Sequence, residues 1–308
     1  MTASSEIVVL TGGVSSERDI SLITGKAVVS ALKSCGYKVR TIDTRKSLDL
    51  VVRELSPPPF AVFNALHGRF GEDGVIQGLL ELLQIPYTHS GVLASALAMD
   101  KPTAKKIFKS EGIRCAEHRI VDIQQILDSD VLPPPYVIKP VNEGSSFGVQ
   151  IIKSTADLSQ FKNEDWAFDK RIMVEKYIEG RELTVTVMGE RALGVTELRP
   201  TKQFYDFNAK YIEGKTEHIL PADLPNRVTE ITQQYALTAH KTLGCRGITR
   251  ADFRYDEKKP GASGVYLLEL NTQPGLTPLS LVPEQAAHAG ISFPELINWM
   301  VENASCGD

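Results

Sequence analysis

Two pairs of polar residues near the end of the chain have the types and the spacing to bind a metal ion. Glu269 and Asn271 are two residues apart in the apolar run GVYLLELN, and Arg250 and Asp252 are two apart in ITRADF. Residues two apart in a strand point to the same face, so a hairpin of these segments would gather Asp252, Glu269 and Asn271. Oxygen donors of this kind suit Mg²⁺. The alternative is a solvated hairpin face with an Arg–Asp pair.

A glycine- and serine-rich loop in VIKPVNEGSSFGVQIIK has the composition of a phosphate-binding segment. Its backbone N–H groups could hold phosphate oxygens, with Lys139 supplying positive charge. It is not a P-loop, because a strand and not a helix follows the glycines. Lys101 is at the start of a helix predicted at residues 102–111, where a lysine opposes the helix dipole unless an anion binds nearby. Each feature also has an ordinary interpretation, as a flexible hairpin and a solvated lysine.

Glu17 and His67 follow two predicted parallel strands, at the sheet edge where open α/β folds bind their ligands. Ser16 and Asp19 have the spacing of a capping box at the start of the first helix. The segment GGVSSERDISL lacks the GxGxxG spacing, so a Rossmann dehydrogenase is disfavoured. The ordinary alternatives are an acidic first-turn residue that favours the helix dipole and a structural histidine. Two polar groups at one edge favour a substrate pocket that includes His67.

Three regions would position these groups. Residues 1–98 alternate strands and helices, which predicts a parallel βαβ domain. Residues 99–184 and 185–308 contain short strands with tight connections, which favour antiparallel pairing. In RELTVTVM, Glu182 and two threonines alternate with apolar residues, so we expect one face of this strand to be buried and the other available. The segment 199–218 has no clear periodicity.

Composition limits the possible functions. Of the 308 residues, 42% are hydrophobic and 23% charged, ordinary values for a globular protein, and the length predicts two or three domains. A net charge of -4 gives no reason to expect nucleic acid as a partner. The N-terminus lacks the pattern of a signal peptide, no apolar stretch would span a bilayer, and the cysteines have no metal-ligand spacing. We therefore expect reduced thiols in a cytoplasmic protein without membrane insertion.

Together these motifs resemble the D-alanine–D-alanine ligases of the ATP-grasp superfamily. The resemblance is carried, in family order, by GGVSSERDISLITG, HGRFGEDGVIQG, MDKPTAK, KPVNEGSSFGV, FYDFNAKY, TRADF and LELNTQPGLTPLSLVP. It implies an ATP-grasp fold of mixed α/β and α+β class, with an N-terminal parallel-sheet domain. It also implies a homodimer that makes D-alanyl-D-alanine for peptidoglycan precursors.

The resemblance implies roles for individual residues towards ATP. Asp252, Glu269 and Asn271 match the ligands of Mg²⁺ or Mn²⁺, with two ions expected. Arg250 and the backbone N–H of Gly275 match the pair that stabilises the oxyanion of the tetrahedral intermediate. The ATP contacts that the resemblance implies are Lys101, Lys139, Ser146, Glu175, Lys176, Tyr177, Ile178, Glu182 and Lys210. Of these, the segment 175–178 would hold the adenine and Glu182 the ribose.

Other residues match the family's amino-acid contacts. Glu17 would anchor the ammonium group of the first D-alanine, and hydrogen bonds to Ser145 and Tyr211 would close the 199–218 segment as a lid. Ser280 and Leu281 would receive the carboxylate of the second D-alanine. The implied reaction forms an acyl phosphate on the first D-alanine, which the amino group of the second then attacks.

Two alternatives are weighed against this reaction. A D-alanine–D-lactate ligase generally loses the lid tyrosine, so the presence of Tyr211 favours the dipeptide. A non-catalytic ATP-grasp module would be expected to lack a metal ligand or Arg250, and none of these is missing.

Overall fold

The first domain is a parallel sheet covered by helices, as the sequence predicts. The computed structural model describes residues 5–128, 131–142, 144, 148–158, 171–200 and 216–307. In this domain the strand order is β2–β1–β3, with both pairs parallel. Residues 7–10 of the central strand are fully buried, which is typical of a parallel strand covered on both faces. The elements are β1 (Glu6–Thr11), α1 (Arg18–Ser34), β2 (Lys38–Asp43), α2 (Leu48–Glu54), β3 (Ala61–Asn64) and α3 (Val75–Leu82).

A glycine turn ends α1 and directs the chain into β2. Gly36 has a φ of 88°, in the left-handed region that glycine adopts without strain. Its N–H donates to the carbonyl of Lys33 at 3.0 Å, and the N–H of Tyr37 donates to that of Leu32 at 3.1 Å. This is the Schellman pattern, which satisfies carbonyl groups at the end of a helix.

The second sheet is antiparallel and has the order β4–β7–β5–β6. Its core contains Tyr136, Ile138, Ile172 and Val174. Two helices precede it, and the residue before the second of them, Asp100, caps that helix by accepting from the N–H of Thr103 at 3.0 Å. The elements of this region are α4 (Val92–Met99), α5 (Lys101–Ser110), β4 (His118–Val121), α6 (Ile123–Asp128), β5 (Tyr136–Pro140), β6 (Gln150–Ile152) and β7 (Ile172–Lys176).

The third sheet is also antiparallel, in the order β10–β9–β8–β11–β12. The prediction of short antiparallel strands in the second half of the chain is therefore confirmed. The elements are β8 (Arg181–Met188), β9 (Arg191–Pro200), β10 (Thr216–Ile219), α7 (Asn226–Thr242), β11 (Ile248–Tyr255), β12 (Val265–Asn271), α8 (Leu281–His288) and α9 (Phe293–Glu302). None of the helices in the described part of the chain is long and apolar enough to cross a membrane.

Two predicted boundaries differ from the described strands. The boundary between residues 184 and 185 falls inside β8, which pairs with β9 and β11 from Arg181 onwards. The ends of the segment predicted to be aperiodic, 199–218, belong to strands. Residues 199–200 are part of β9 and residues 216–218 are part of β10, and the two strands pair with each other. Its interior, residues 201–215, lies outside the described residues.

Packing between regions holds the sheets in place around the predicted site. The last helix, α9, returns to the first domain and buries Leu296 and Met300 against Ile7 and Phe63. Helix α5 instead packs on the third sheet, where Phe108 joins the core with residues of β8, β11 and β12. At the end of β3, Nδ2 of Asn64 donates to Oε1 of Gln273, just after β12, at 2.8 Å. This contact holds the edge of the first sheet that carries Glu17 and His67 close to the β11–β12 hairpin.

Candidate functional site

Strands β11 and β12 form the predicted hairpin, and it brings the three proposed metal ligands to one face. Asp252 is directly opposite Glu269, and Arg250 is opposite Asn271. These four side chains are partly exposed, whereas Ala251 and the other alternate residues of β11 are buried. A register shift follows Asp252. The polar groups thus lie side by side, although their role towards a metal stays a prediction.

Asp252 is held by hydrogen bonds from three directions. Arg250 donates from Nε to its Oδ1 at 2.8 Å and from Nη2 to its Oδ2 at 2.7 Å. Thr184 of the neighbouring strand donates to Oδ1 at 2.8 Å, and the Nδ2 of Asn271 donates to Oδ2 at 3.0 Å. This orientation of the Asn271 amide leaves its oxygen as a possible cation ligand.

The donor set fits a divalent cation that is shared with a ligand. Two carboxylates and an amide oxygen are the hard donors that Mg²⁺ prefers. Within the described residues, no group of three or more His, Cys, Asp or Glu side chains is placed to hold a metal. An ion at Asp252, Glu269 and Asn271 would therefore complete its coordination with oxygens from elsewhere, such as phosphate and water. Lys101 adds positive charge here, since its Nζ is 3.7 Å from Oε2 of Glu269.

Lys139 lies in a buried cluster of charges that the sequence did not fully predict. Its Nζ donates to Oε2 of Glu175 at 2.6 Å, and the Nζ of Lys105 is 2.6 Å from Oε1 of the same carboxylate. Glu175, expected at the adenine, therefore has its carboxylate between two lysines. Lys105 had no predicted role. Lys105 is four residues after Lys101 and three before Phe108. This spacing places the three side chains on one face of α5, and it could have predicted that Lys105 lies near Lys101.

Glu17 lies at the N-terminus of α1 but does not cap it. The helix begins at the next residue, and the side chain of Glu17 accepts no capping hydrogen bond. Ser15 shapes the turn instead, accepting from the N–H of Glu17 at 3.2 Å and donating to the carbonyl of His67 at 2.6 Å. The capping box predicted from Ser16 and Asp19 was wrong, because the turn before the helix is organised by this longer-range contact.

His67 is buried beside the hairpin and is neutral at ordinary pH. Burial and the positive charge of Arg250 lower the pKa of its imidazole to about 4. Its Nε2 is 3.2 Å from the hydroxyl oxygen of Thr24. His67 can thus help to shape the substrate pocket by hydrogen bonding, but it does not bring a charge to it.

A second carboxylate, Glu72, lies near Glu17 and was not predicted. A Cβ on Gly144 would be 3.3 Å from Oε2 of Glu17 and 3.6 Å from Oε1 of Glu72, so both carboxylates approach the same point of the glycine-rich loop. Oε1 of Glu72 also accepts from the N–H of Gly68 at 2.9 Å. Burial and the nearby Glu17 raise the pKa of Glu72 to about 8. With Glu72 protonated, Glu17 supplies the negative charge that suits an ammonium group.

A small cavity of about 30 Å³ is lined both by Glu72 and by residues at the end of β12. Its lining includes Glu72 and Gly144 together with Lys101, Glu269 and Asn271. A carboxylate that neighbours Glu17 therefore lines the same cavity as groups suited to phosphate and metal.

The loop after β12 and the start of α8 provide a place for a carboxylate. Ser280 precedes the first residue of α8, Leu281, and its Oγ accepts from the N–H of Thr277 at 2.9 Å. The first N–H groups of a helix lack intrahelical partners and attract anions. A Cβ on Gly275 would be 3.0 Å from Oγ of Ser280, so the backbone of this loop passes close to the helix start.

The segment predicted at the adenine is braced by Arg254, which sequence reasoning missed. Its Nε donates to the carbonyl of Ile178 at 3.0 Å, and its Nη1 is 3.4 Å from Oε2 of Glu182. Its guanidinium also lies 5.5 Å from the centre of the Tyr177 ring. In β11, Arg254 follows Asp252 by two residues and Arg250 by four, a spacing that predicts that all three side chains are on the same face of the strand. Lys176, by contrast, is exposed at the end of β7.

The expectation of an available polar face on β8 was wrong for its two threonines. Thr184 and Thr186 are fully buried. Gln285 of α8 covers them, donating to the carbonyl of Thr184 at 3.2 Å and accepting from the N–H of Thr186 at 2.7 Å. A buried glutamine can satisfy the polar groups of a strand. The alternation of polar and apolar residues in β8 therefore does not indicate a face exposed to solvent.

Four predicted site residues cannot be placed in this geometry. Ser145, Ser146, Lys210 and Tyr211 lie outside the described residues.

The chain is similar to known proteins over nearly its full length. The family model described as "D-ala D-ala ligase N-terminus" matches residues 49–90, and that described as "D-ala D-ala ligase C-terminus" matches residues 107–302. A D-alanine–D-alanine ligase of Cereibacter sphaeroides is 54% identical over 300 residues, covering 97% of this chain and 96% of that protein. One of Acidiphilium cryptum is 52% identical over 300 residues, covering 97% and 98%.

Solved structures give the same result. A crystal structure of the D-alanine–D-alanine ligase of Bacillus anthracis complexed with ATP matches with a TM-score of 0.81 and 29% identity, over 97% of each chain. Another crystal structure of that enzyme matches with a TM-score of 0.84 and 33% identity, again over 97% of each chain.

Proposed function

The chain belongs to the D-alanine–D-alanine ligase family, and from this premise we propose that it joins two D-alanines to D-alanyl-D-alanine, converting ATP to ADP and phosphate. Its fold is the ATP-grasp fold behind a parallel-sheet domain. The observation that carries the proposal is the cavity that Glu72, Lys101 and Glu269 line together. An amino acid held at the first domain would there meet a phosphate held at the hairpin.

ATP is proposed to lie between the second and third sheets. Lys101 and Lys139, both buried with their ammonium groups near carboxylates of the site, supply charge for its phosphates. The segment 176–178 and Glu182, braced by Arg254, would receive adenine and ribose. Ser146 and Lys210 are proposed as further contacts from the resemblance alone.

A divalent cation, Mg²⁺ or Mn²⁺, would be held by Asp252, Glu269 and Asn271. When bound with ATP it supplies charge neutralisation and orientation for transfer of the γ-phosphoryl group. The protein's contribution is to hold these oxygens on one face of a hairpin, with Arg250 and Thr184 fixing Asp252. We propose two ions, in keeping with the resemblance.

The first step forms an acyl phosphate on the first D-alanine. Glu17 holds its ammonium group, so that a carboxylate oxygen is directed across the cavity at the γ-phosphorus. That oxygen forms a bond to phosphorus while the bond to the leaving ADP breaks. Lys101 and Lys139 stabilise the negative charge that accumulates on the phosphate oxygens. No nucleophile from the protein is needed, since catalysis here is positioning and electrostatics.

The second step joins the two amino acids. The carboxylate of the second D-alanine would bind at Ser280 and the N–H of Leu281, at the start of α8. Its amine, having lost a proton, attacks the acyl carbon, and phosphate leaves. Arg250 and the N–H of Gly275 are proposed to stabilise the oxyanion between these events. Ser145 and Tyr211 are proposed, from the resemblance, to help close the site over the intermediate and exclude water.

The D-alanine–D-lactate alternative is not favoured, because the curated relatives at about half identity carry the dipeptide ligase name. The dipeptide would enter peptidoglycan precursor synthesis. We also propose that the protein acts in the cytoplasm as a homodimer, on the strength of the resemblance.

The proposed function is tested by incubating the purified protein with ATP, Mg²⁺ and D-alanine. We expect phosphate release and D-alanyl-D-alanine, identified by mass spectrometry, and much less D-alanyl-D-lactate when D-lactate is offered as the second substrate. L-alanine is the matched control for stereochemistry. No phosphate release with D-alanine or D-lactate would remove the ligase proposal, and a predominant ester product would transfer it to the D-lactate class.

A further inference from the structure

Three buried charged side chains lie where the second and third sheets meet. Glu175 of β7 is flanked by Lys105 of α5 and Lys139 of β5, each with its Nζ 2.6 Å from a different carboxylate oxygen. Lys105 is 1% exposed, Glu175 2% and Lys139 8%. Lys139 has a proposed role at the phosphates, but nothing so far assigns one to Lys105.

This cluster carries a net positive charge, because two ammonium groups surround one carboxylate. Burial by itself would raise the pKa of Glu175, but Lys105 and Lys139 outweigh it and lower that pKa to about 2. Burial by itself would lower the pKa of Lys139, but Glu175 and Glu269 outweigh it and raise that pKa. The carboxylate is therefore ionised and divided between two cations, so neither lysine is fully neutralised.

The two lysines differ in what they can reach. Lys105 is enclosed, and its Nζ also donates to the carbonyl of Leu267 in β12 at 3.2 Å. It cannot contact a ligand while those bonds hold. Lys139 is near the end of β5, the strand that runs into the glycine-rich loop. Excess positive charge in the cluster is therefore available to a ligand only through Lys139.

We propose that Lys105 is a positioning residue for phosphate binding, which offsets the charge of Glu175 so that the charge of Lys139 is available to the ATP phosphates. Without Lys105, Lys139 would be the one close cation of the Glu175 carboxylate. The stronger ion pair would leave less of the positive charge of Lys139 available to the phosphates. The proposal rests on the proposed function, since it takes ATP as the ligand. A role limited to folding would instead lower stability without changing the preference for phosphates.

The test is the affinity for MgATP and for AMP, measured by calorimetry without D-alanine. Lys105→Met should weaken MgATP binding roughly tenfold to hundredfold, with a much smaller effect on AMP, because a charge-assisted contact is lost. Lys105→Arg should restore most of the affinity. Lys106→Met, at the exposed neighbouring position of the same helix, is the matched control and should bind as the wild type does.

The deciding variant is the double change Lys105→Met with Glu175→Gln. It removes one positive and one negative charge, so Lys139 no longer has the Glu175 carboxylate as an ionic partner, and the double variant should bind MgATP more tightly than Lys105→Met alone. Equal or weaker binding, or equal losses for MgATP and AMP, would overturn the proposal. If Lys105→Met does not fold, the double variant is compared with the wild type: similar MgATP affinity supports the proposal, and a loss of about tenfold or more overturns it. A wild type that binds ATP but makes no dipeptide would remove the ligase function and leave this inference standing.

Discussion

Arg250 donates hydrogen bonds to both carboxylate oxygens of Asp252, from Nε at 2.8 Å and from Nη2 at 2.7 Å, and the two residues are two positions apart in β11. The pair is mostly buried, with 15% and 14% of the side chains exposed. A cation that binds Asp252 must therefore share it with a guanidinium. In the proposed mechanism Asp252 binds the metal and Arg250 stabilises the oxyanion. Their ion pair therefore links the metal site to the oxyanion site.

Asp252→Asn should lower phosphate release by about a hundredfold or more, because it removes the charge that orients Arg250 and that is proposed to hold the cation. Thr184→Val is the matched comparison. It removes one hydrogen bond to Asp252 and keeps its charge, so we expect a loss of at most about tenfold. Steady-state phosphate release measures both. Wild-type turnover in Asp252→Asn would contradict the metal assignment.

Glu269→Ala should abolish phosphoryl transfer and leave a folded protein. The variant loses the carboxylate that lies 3.7 Å from Nζ of Lys101 and opposite Asp252 in the hairpin, while the strand pairing of β12 through its backbone is kept. Phosphate release is measured over a range of Mg²⁺ concentrations, with circular dichroism to verify the fold. Glu257→Ala, exposed in the turn of the same hairpin, should be fully active. Activity of Glu269→Ala at any Mg²⁺ concentration would count against its role.

Gly144→Ala should raise the KM for D-alanine by roughly tenfold, because the new methyl group would enter the space between Glu17 and Glu72. The KM for ATP should change little. In contrast, a Cβ on Gly78 of α3 meets nothing within 4 Å, so Gly78→Ala should keep full activity and stabilise the fold by about 0.5–1 kcal/mol. If the KM for D-alanine is unaltered in Gly144→Ala, the ammonium site is elsewhere.

Local patterns were enough to predict the parts of the site that depend on neighbouring residues. The period-two spacing of Arg250 with Asp252, and of Glu269 with Asn271, predicts the polar face of the hairpin because both strands fold back on each other. The turn at Gly36 likewise needs only its own backbone conformation.

What the sequence did not reveal depends on residues far apart in the chain. A lysine in a helix is usually exposed to solvent. The burial of Lys105 is therefore explained only by its ion pair with Glu175, which is seventy positions later in the chain. Thr184 is covered by Gln285, 101 positions away. Glu72 is brought towards Glu17 because β1 and β3 are parallel neighbours, and their sequence separation gives no sign of it.

Glu72→Gln should change how stability depends on pH. Burial and Glu17 raise the pKa of Glu72 from an ordinary 4.5 to about 8, so between these values the folded protein holds a proton that the unfolded chain has lost. The stability from this group is complete below pH 4.5 and is lost as the pH rises through 8. Glutamine resembles the protonated acid, so the variant should match the wild type near pH 5 and have the higher thermal midpoint at pH 9. Thermal unfolding from pH 5 to 9 measures this, with the exposed Glu111→Gln as control. A midpoint difference that is the same at both pH values would show that Glu72 has an ordinary pKa and that the carboxylates of the proposed ammonium site do not interact.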